Sequence, residues 1–375
     1  MGWKIPLFKI YWDQADIDAV DRVIRSGMNW SSGDTIVQFE KQIAEYYNVP
    51  YCLTFNSGTS ALHANLIACD LKPGDEIIVP SFTFIATANA ARFVGAKPVF
   101  ADIENDTFGL DPNDVLEKIT DKTRAILPIH FGGAPCKIEE LREIADDHKL
   151  ILIEDSAEAM GTRIRGKLAG TFGDSAVLSF CQNKIITTGE GGAIVTQSKQ
   201  LYEKMKLIRS HGRLETADYF NTTAVMDYIT LGYNFRMPTL NAALGISQLN
   251  KIGTIISQRH DSAEYYNKKI KSINSGLKIP KVSMDNFHVY QLFSVIADRR
   301  DEFMKFMERE GIMTKIYFSP VHLTQYYKDI LKYRSKLPVT EKIADSIISL
   351  PFYTGISHSD IDIIVNSIST FYKGE

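Results

Sequence analysis

Leu150-Ile151-Leu152-Ile153-Glu154-Asp155 is a run of four aliphatic residues that ends abruptly in two acids. An unbroken run this short has no polar face, so it reads as a parallel strand buried on both sides, and ligands of such sheets gather beyond the strands' carboxyl ends. Asp155 therefore stands where a ligand arrives. A competing reading makes it the N-cap of Ser156-Ala157-Glu158-Ala159-Met160. Comparable runs lie on either side: Glu76 to Pro80, Lys97 to Ala101, Arg124 to Ile129, Ser175 to Phe180 and Gly192 to Thr196. Helical patterns such as Ile138 to His148 separate several of them. This alternation predicts an α/β fold with a mostly parallel central sheet and helices on both faces.

Two amphipathic helices precede the alternation, Asp13 to Gly27 with Ile17, Val20, Val23 and Ile24 on one stripe, and Thr35 to Tyr47. Ser26 to Gly33 between them is too rich in turn residues to be helical. After the last strand, a long helical stretch from Leu240 to about Lys271 leads to a strand at His288 to Val295 and a helix at Arg300 to Glu310. The division expected is a large domain over 1–250 and a smaller α+β domain over 251–375.

Three features carry chemistry. Lys184 lies just past an apolar run and ahead of Thr187-Thr188-Gly189-Glu190-Gly191-Gly192, which aims its amine into a site and suits Schiff-base chemistry. Asp155 supplies an acid at a strand end. Phe55-Asn56-Ser57-Gly58-Thr59-Ser60 is a strand end that runs into a helix, where Gly58 permits close approach and free amides favour an anion. A Ser/Thr helix cap has the same appearance. Lysine, acid and phosphate cup are what pyridoxal phosphate (PLP) requires of a protein. The loop is neither a P-loop nor a dinucleotide fingerprint.

Together with Pro80-Ser81-Phe82-Thr83-Phe84-Ile85-Ala86-Thr87, Glu154 to Gly161 and Gly232-Tyr233-Asn234-Phe235-Arg236-Met237, these segments resemble the DegT/DnrJ/EryC1/StrS family of fold-type I, aspartate aminotransferase-like PLP enzymes. The resemblance spans nearly the whole chain, and Glu158 with the Lys184 segment is most similar to the GDP-perosamine synthase-like sugar 4-aminotransferases. It implies Lys184 and Asp155 as the catalytic pair and Gly58, Thr59, Ser179 and Asn234 around the phosphate, with Asn234 supplied by the neighbouring subunit of a homodimer. Phe84 is implied as the ring that stacks on the cofactor. Glu158 falls beside the cofactor's phenolic oxygen, where many relatives have histidine or glutamine; a carboxylate there must be protonated or bonded elsewhere. Asn29, Trp30, Tyr317 and His322 match segments that contact the nucleotide sugar, although Trp30 also suits an interface and His322 a structural role. The implied reaction moves the amine of L-glutamate to a nucleotide-linked 4-keto-6-deoxy sugar. A UDP-linked or 3-keto substrate, or a non-enzymatic PLP-binding regulator, are the alternatives. A related dehydratase branch carries histidine where Lys184 stands.

Composition narrows the rest. In 375 residues the net charge is -3, so electrostatics imply no nucleic-acid partner. The N-terminal segment lacks a signal-peptide core and no run approaches a membrane span, which predicts a cytoplasmic protein. Cys52, Cys69, Cys136 and Cys181 have no metal-ligand spacing and read as reduced thiols, Cys181 as a packing residue.

Overall fold

The computed structural model describes residues 2–214, 219–273, 276–281 and 283–373. Seven strands form the central sheet: β1 Tyr51–Phe55, β2 Glu76–Pro80, β3 Lys97–Ala101, β4 Thr123–Ile126, β5 Ile151–Asp155, β6 Ser175–Ser179 and β7 Gly192–Thr196, in the order β1-β7-β6-β5-β4-β2-β3. From β6 to β3 the neighbours pair in parallel, whereas β7 runs against both β1 and β6. The carboxyl ends of β1, β5 and β6 consequently share one edge. The loop that returns β6 to β7 carries Lys184 along that same edge.

Alternate residues of each strand serve opposite cores. Leu53, Phe55, Ile153 and Val177 pack under the helices Gly58–Ala68 and Ile85–Phe93, while Leu152 and Ile126 meet Ile138, Leu141 and Ala145 of the helix Ile138–His148. Leu152 and Ile153 are both fully buried, which explains the absence of a polar face in the run. Each such side chain contributes about 1.5–3 kcal/mol by leaving water. The helix Ile138–His148 buries Ile138, Leu141, Ile144 and Ala145 along one stripe and stops at Lys149, whose backbone is left-handed.

Two expectations need correction, those over residues 240–271 and 288–295. Residues 240–271 form two helices, Thr239–Asn250 and Ile252–Ser272, which meet at Lys251; the turn carries the Lys251 ammonium to Asp13 Oδ1 at 2.6 Å and Asp16 Oδ2 at 2.8 Å. In the first helix, Gln14–Arg25, Asp16 and Ala19 are the buried residues, whereas Ile17 and Ile24 are half exposed. Ile17 and Ile24 of its apolar stripe turn away from this chain, while Val20 and Val23 are partly buried. Of the strand expected at 288–295, only the part from Phe293 onward pairs, as Phe293–Ala297 between Leu277–Lys278 and Ile347–Leu350. Tyr290 adopts φ 53°, and the amides of Val289 and Leu292 turn to the carbonyls of Gly133 and Gly132.

The antiparallel strands cover a second core with Tyr266, Phe303, Ile361 and Ile364. Ile5 joins that core, because the chain's first strand-like residues hydrogen-bond to Gly311 and Met313. Among the described residues no helix is long and apolar enough to cross a membrane.

Candidate active site

Lys184 projects from the β6–β7 loop, where its amide bonds to the Cys181 carbonyl at 2.9 Å. Its amine lies 3.1 Å from Glu158 Oε1, and the two side chains are 14% and 4% exposed. Glu158 Oε2 accepts the Gly132 amide at 2.9 Å. The carboxylate is therefore engaged by a lysine and a backbone amide.

Asp155, at the end of β5, is 3% exposed. Its Oδ2 accepts the Thr87 hydroxyl at 2.8 Å and its Oδ1 the Ala157 amide at 3.2 Å, while the Thr87 hydroxyl also meets that of Thr83 at 2.7 Å. Burial pushes the carboxyl above its ordinary value, against the pull of Thr87, Ala157 and the Lys184 charge. Residues 156–160 form turns, so Asp155 caps no helix.

The helix Gly58–Ala68 is capped by Ser57, whose hydroxyl accepts the Ser60 amide at 3.0 Å. A β-carbon on Gly58 would come within 3.2 Å of Ser179 Cβ, and one on Gly192 within 2.6 Å of the Gly58 nitrogen. These two glycines let the helix start seat directly on the ends of β6 and β7. The first amides of a helix have no intrahelical acceptor, so Gly58 and Thr59 with the Ser179 hydroxyl form a cup that suits a phosphate.

Phe82 is fully buried against Phe131 and Phe108, whereas Phe84 is 55% exposed with its ring 5.9 Å from that of Phe318. Phe84 is thus the ring free to cover a ligand. Tyr317 also belongs here: burial and the neighbouring Glu158 raise its phenol's pKa, and a hydrogen bond with Asn183 opposes them. His322 does not belong. It is 2% exposed, with Nδ1 2.6 Å from Ser81 Oγ and Nε2 3.3 Å from Glu341, so its ring holds a loop in place and has no face for a substrate.

Asn29, Trp30 and Asn234 lie outside this cluster. Trp30 is half exposed and donates from its indole to the Val23 carbonyl at 3.1 Å; Asn29 Oδ1 accepts from Asn221 at 3.2 Å. Asn234 is exposed beside Asn56, which donates to its carbonyl at 3.3 Å. Thr87 and Gly132 join the site without having been anticipated. Thr87 stands one helical turn after Phe84, and Gly132-Gly133 has positive φ at both residues, a doublet that marks a special turn.

These residues fit PLP. The site offers a shielded amine for the aldehyde, an acid for the ring nitrogen and a cup that a β-carbon at Gly58 would crowd. Comparison with known proteins points the same way. The DegT/DnrJ/EryC1/StrS aminotransferase family model matches residues 11–369. GDP-perosamine synthase of Escherichia coli O157:H7 is 37% identical, over 98% of this chain and 99% of its own; that of Vibrio cholerae is 35% identical over 98% and 99%. In structure, Helicobacter pylori PseC, an aminotransferase involved in the biosynthesis of pseudoaminic acid, superposes with a TM-score of 0.92 at 28% identity, covering 99% of this chain and 100% of its own. The chain therefore belongs to the DegT/DnrJ/EryC1/StrS aminotransferase family, whose members are PLP-dependent sugar aminotransferases.

Proposed function

We propose that this sugar aminotransferase takes the amino group of L-glutamate and delivers it to C4 of a GDP-linked 4-keto-6-deoxy sugar, in the cytoplasm and as a homodimer. The observation that carries the chemistry is the shielded Lys184 amine, 3.1 Å from Glu158 and on the same sheet edge as Asp155. When bound, PLP supplies an electron sink that acidifies a C–H bond on the carbon bearing the amine. Lys184 Nζ anchors the cofactor and, once displaced, carries the proton to and from the reacting carbon. The Asp155 carboxylate holds the proton on the ring nitrogen, Gly58, Thr59 and Ser179 hold the phosphate, and Phe84 covers a ring face. Glu158 keeps the lysine amine oriented between turnovers.

The choice of a GDP-linked sugar rests on the two GDP-perosamine synthases, each similar over almost its whole length. Purified protein supplied with PLP and glutamate should aminate the GDP-linked 4-keto sugar with kcat/KM roughly a hundredfold above its UDP-linked and 3-keto counterparts, measured by product mass. Equal or better use of a UDP-linked sugar would reassign the substrate. The cytoplasmic placement has support from four unpaired cysteines, in keeping with a reducing compartment.

The homodimer has support from the outward stripe of Ile17 and Ile24, with exposed Trp12, Met28 and Trp30 nearby in sequence. Apolar surface of this kind marks an interface. With Asn234 serving the neighbouring subunit's site, inactive Lys184→Ala and inactive Asn234→Ala chains should complement: in each mixed dimer one site carries both lesions and the other is whole. Activity returns in the mixture at limiting PLP. Unchanged activity after verified subunit exchange would mean that each chain builds its own site.

A further inference from the structure

Lys184 is held at two points, and both lines of hydrogen bonds end on residues 288–292. The first starts at the amine: Glu158 Oε1 accepts from Lys184, Glu158 Oε2 accepts the Gly132 amide, and the Gly132 carbonyl accepts the Leu292 amide at 3.1 Å. The second starts at the backbone, where the Gln291 side-chain amide donates to the carbonyl of Asn183 at 2.5 Å. These partners are 108 positions apart in sequence.

Gln291 is 3% exposed, and its Oε1 is buried without a hydrogen-bond partner. An unpaired buried acceptor is destabilising, so an apolar residue would serve packing better and the bond to Asn183 is what the amide offers in return. The segment is itself fixed. Arg259, 6% exposed, donates to the Tyr290 carbonyl at 2.6 Å and to the Gln291 carbonyl at 3.0 Å, with its guanidinium 4.8 Å from the Phe352 ring centre. Gln291 is thus a rigid post touching the residue next to the lysine.

We infer that Gln291 is a positioning residue for Lys184: by holding the Asn183 carbonyl it sets the direction in which the lysine side chain leaves its loop. The inference rests on Lys184 as the cofactor-anchoring lysine. Small misplacements of a reacting group lower rates steeply, by up to about a hundredfold for 1 Å. One neutral hydrogen bond acting through a neighbour should account for less, about tenfold.

The test uses Gln291→Met, which keeps the side chain's length and volume but has no donor, and Gln291→His, which retains an N–H. Cofactor is removed, PLP is added back, and borohydride trapping on the Lys184 peptide is followed with time, surface lysines serving as internal reference. Trapping at Lys184 and kcat should both fall about tenfold in Gln291→Met, with KM for the amino donor within about twofold, and Gln291→His should restore both. Trapping and kcat at the unsubstituted level in folded Gln291→Met would overturn the inference, as would an equal loss in Gln291→His. If the methionine variant does not fold, Gln291→Asn replaces it with the same two outcomes, because its amide is one methylene too short to reach the carbonyl. Absence of a label on Lys184 in the unsubstituted protein would instead remove the reading on which the inference stands.

Discussion

Lys184→Ala should fold, bind PLP without a covalent link and lose turnover by roughly four orders of magnitude or more, which is about 5.5 kcal/mol of transition-state stabilisation. The loss is large because, in the role proposed for it, one nitrogen performs two tasks, anchoring the aldehyde and shuttling the proton, and no neighbour replaces either. Glu158 is the nearest titratable group, but it accepts from the amine and from Gly132 and is 4% exposed. Its removal from the lysine has a separate consequence. With the ammonium gone, a buried carboxylate keeps only the Gly132 amide, a situation that costs several kcal/mol in fully buried pairs and somewhat less here, where Lys184 is 14% exposed. Adding Glu158→Gln to Lys184→Ala should therefore recover thermal stability and leave activity absent. Borohydride reduction followed by peptide mapping should label Lys184 in the parent and no lysine in the variant. A label on a different lysine, or turnover within about tenfold of the parent, would displace Lys184 from its role.

The sequence made the sheet legible because its parallel strands are buried on both faces, leaving apolar runs such as Leu150 to Ile153 that no amphipathic helix would produce. The helix Ile138–His148 was equally plain from its 3.6-residue period. Periodicity does not say which partner a stripe meets, however. Ile17 and Ile24 form a proper stripe, yet the face this chain covers is that of Asp16 and Ala19, with Asp16 Oδ2 accepting from Gln248 and Lys251. At 288–292 the composition suits a strand, but the amides of Val289 and Leu292 are diverted to Gly133 and Gly132, a long-range demand that leaves no local trace. The site divides in the same way. Lys184, Asp155 and Gly58 stand at strand and helix ends, where sequence position alone indicates a ligand. Thr87, Gly132 and Gln291 enter it only through tertiary hydrogen bonds, and His322, which the resemblance matches to a substrate contact and its residue type to a structural role, is held by Ser81 and Glu341.

Asp155→Asn should lose roughly 10²- to 10³-fold in kcat/KM while its cofactor-free form is no less stable than the parent at neutral pH. An amide cannot hold a proton on the ring nitrogen as a carboxylate does, so the electron sink weakens and the proton transfers at Lys184 slow. The stability argument runs through linkage. Burial raises the Asp155 pKa above its ordinary 3.8 in the folded chain, so the folded state binds that proton more tightly than the unfolded state. The group therefore contributes stability below 3.8 and loses it as pH rises through the folded value. Above the folded value the ionised, buried carboxylate opposes folding, and asparagine removes that opposition without orphaning its neighbours. The Asn carbonyl can accept the Ala157 amide, and its NH₂ can donate to Thr87, whose hydroxyl then turns to Thr83. Adding PLP reverses the order, because a cationic ring stabilises the Asp155 carboxylate and does nothing comparable for an amide. Thermal unfolding with and without PLP across pH 4 to 8 should thus show a larger cofactor-induced rise in Tm for the parent than for Asp155→Asn. A variant that keeps near-normal turnover at saturating PLP, or gains as much stability from the cofactor as the parent does, would reduce Asp155 to a buried structural acid held by Thr87 and Ala157.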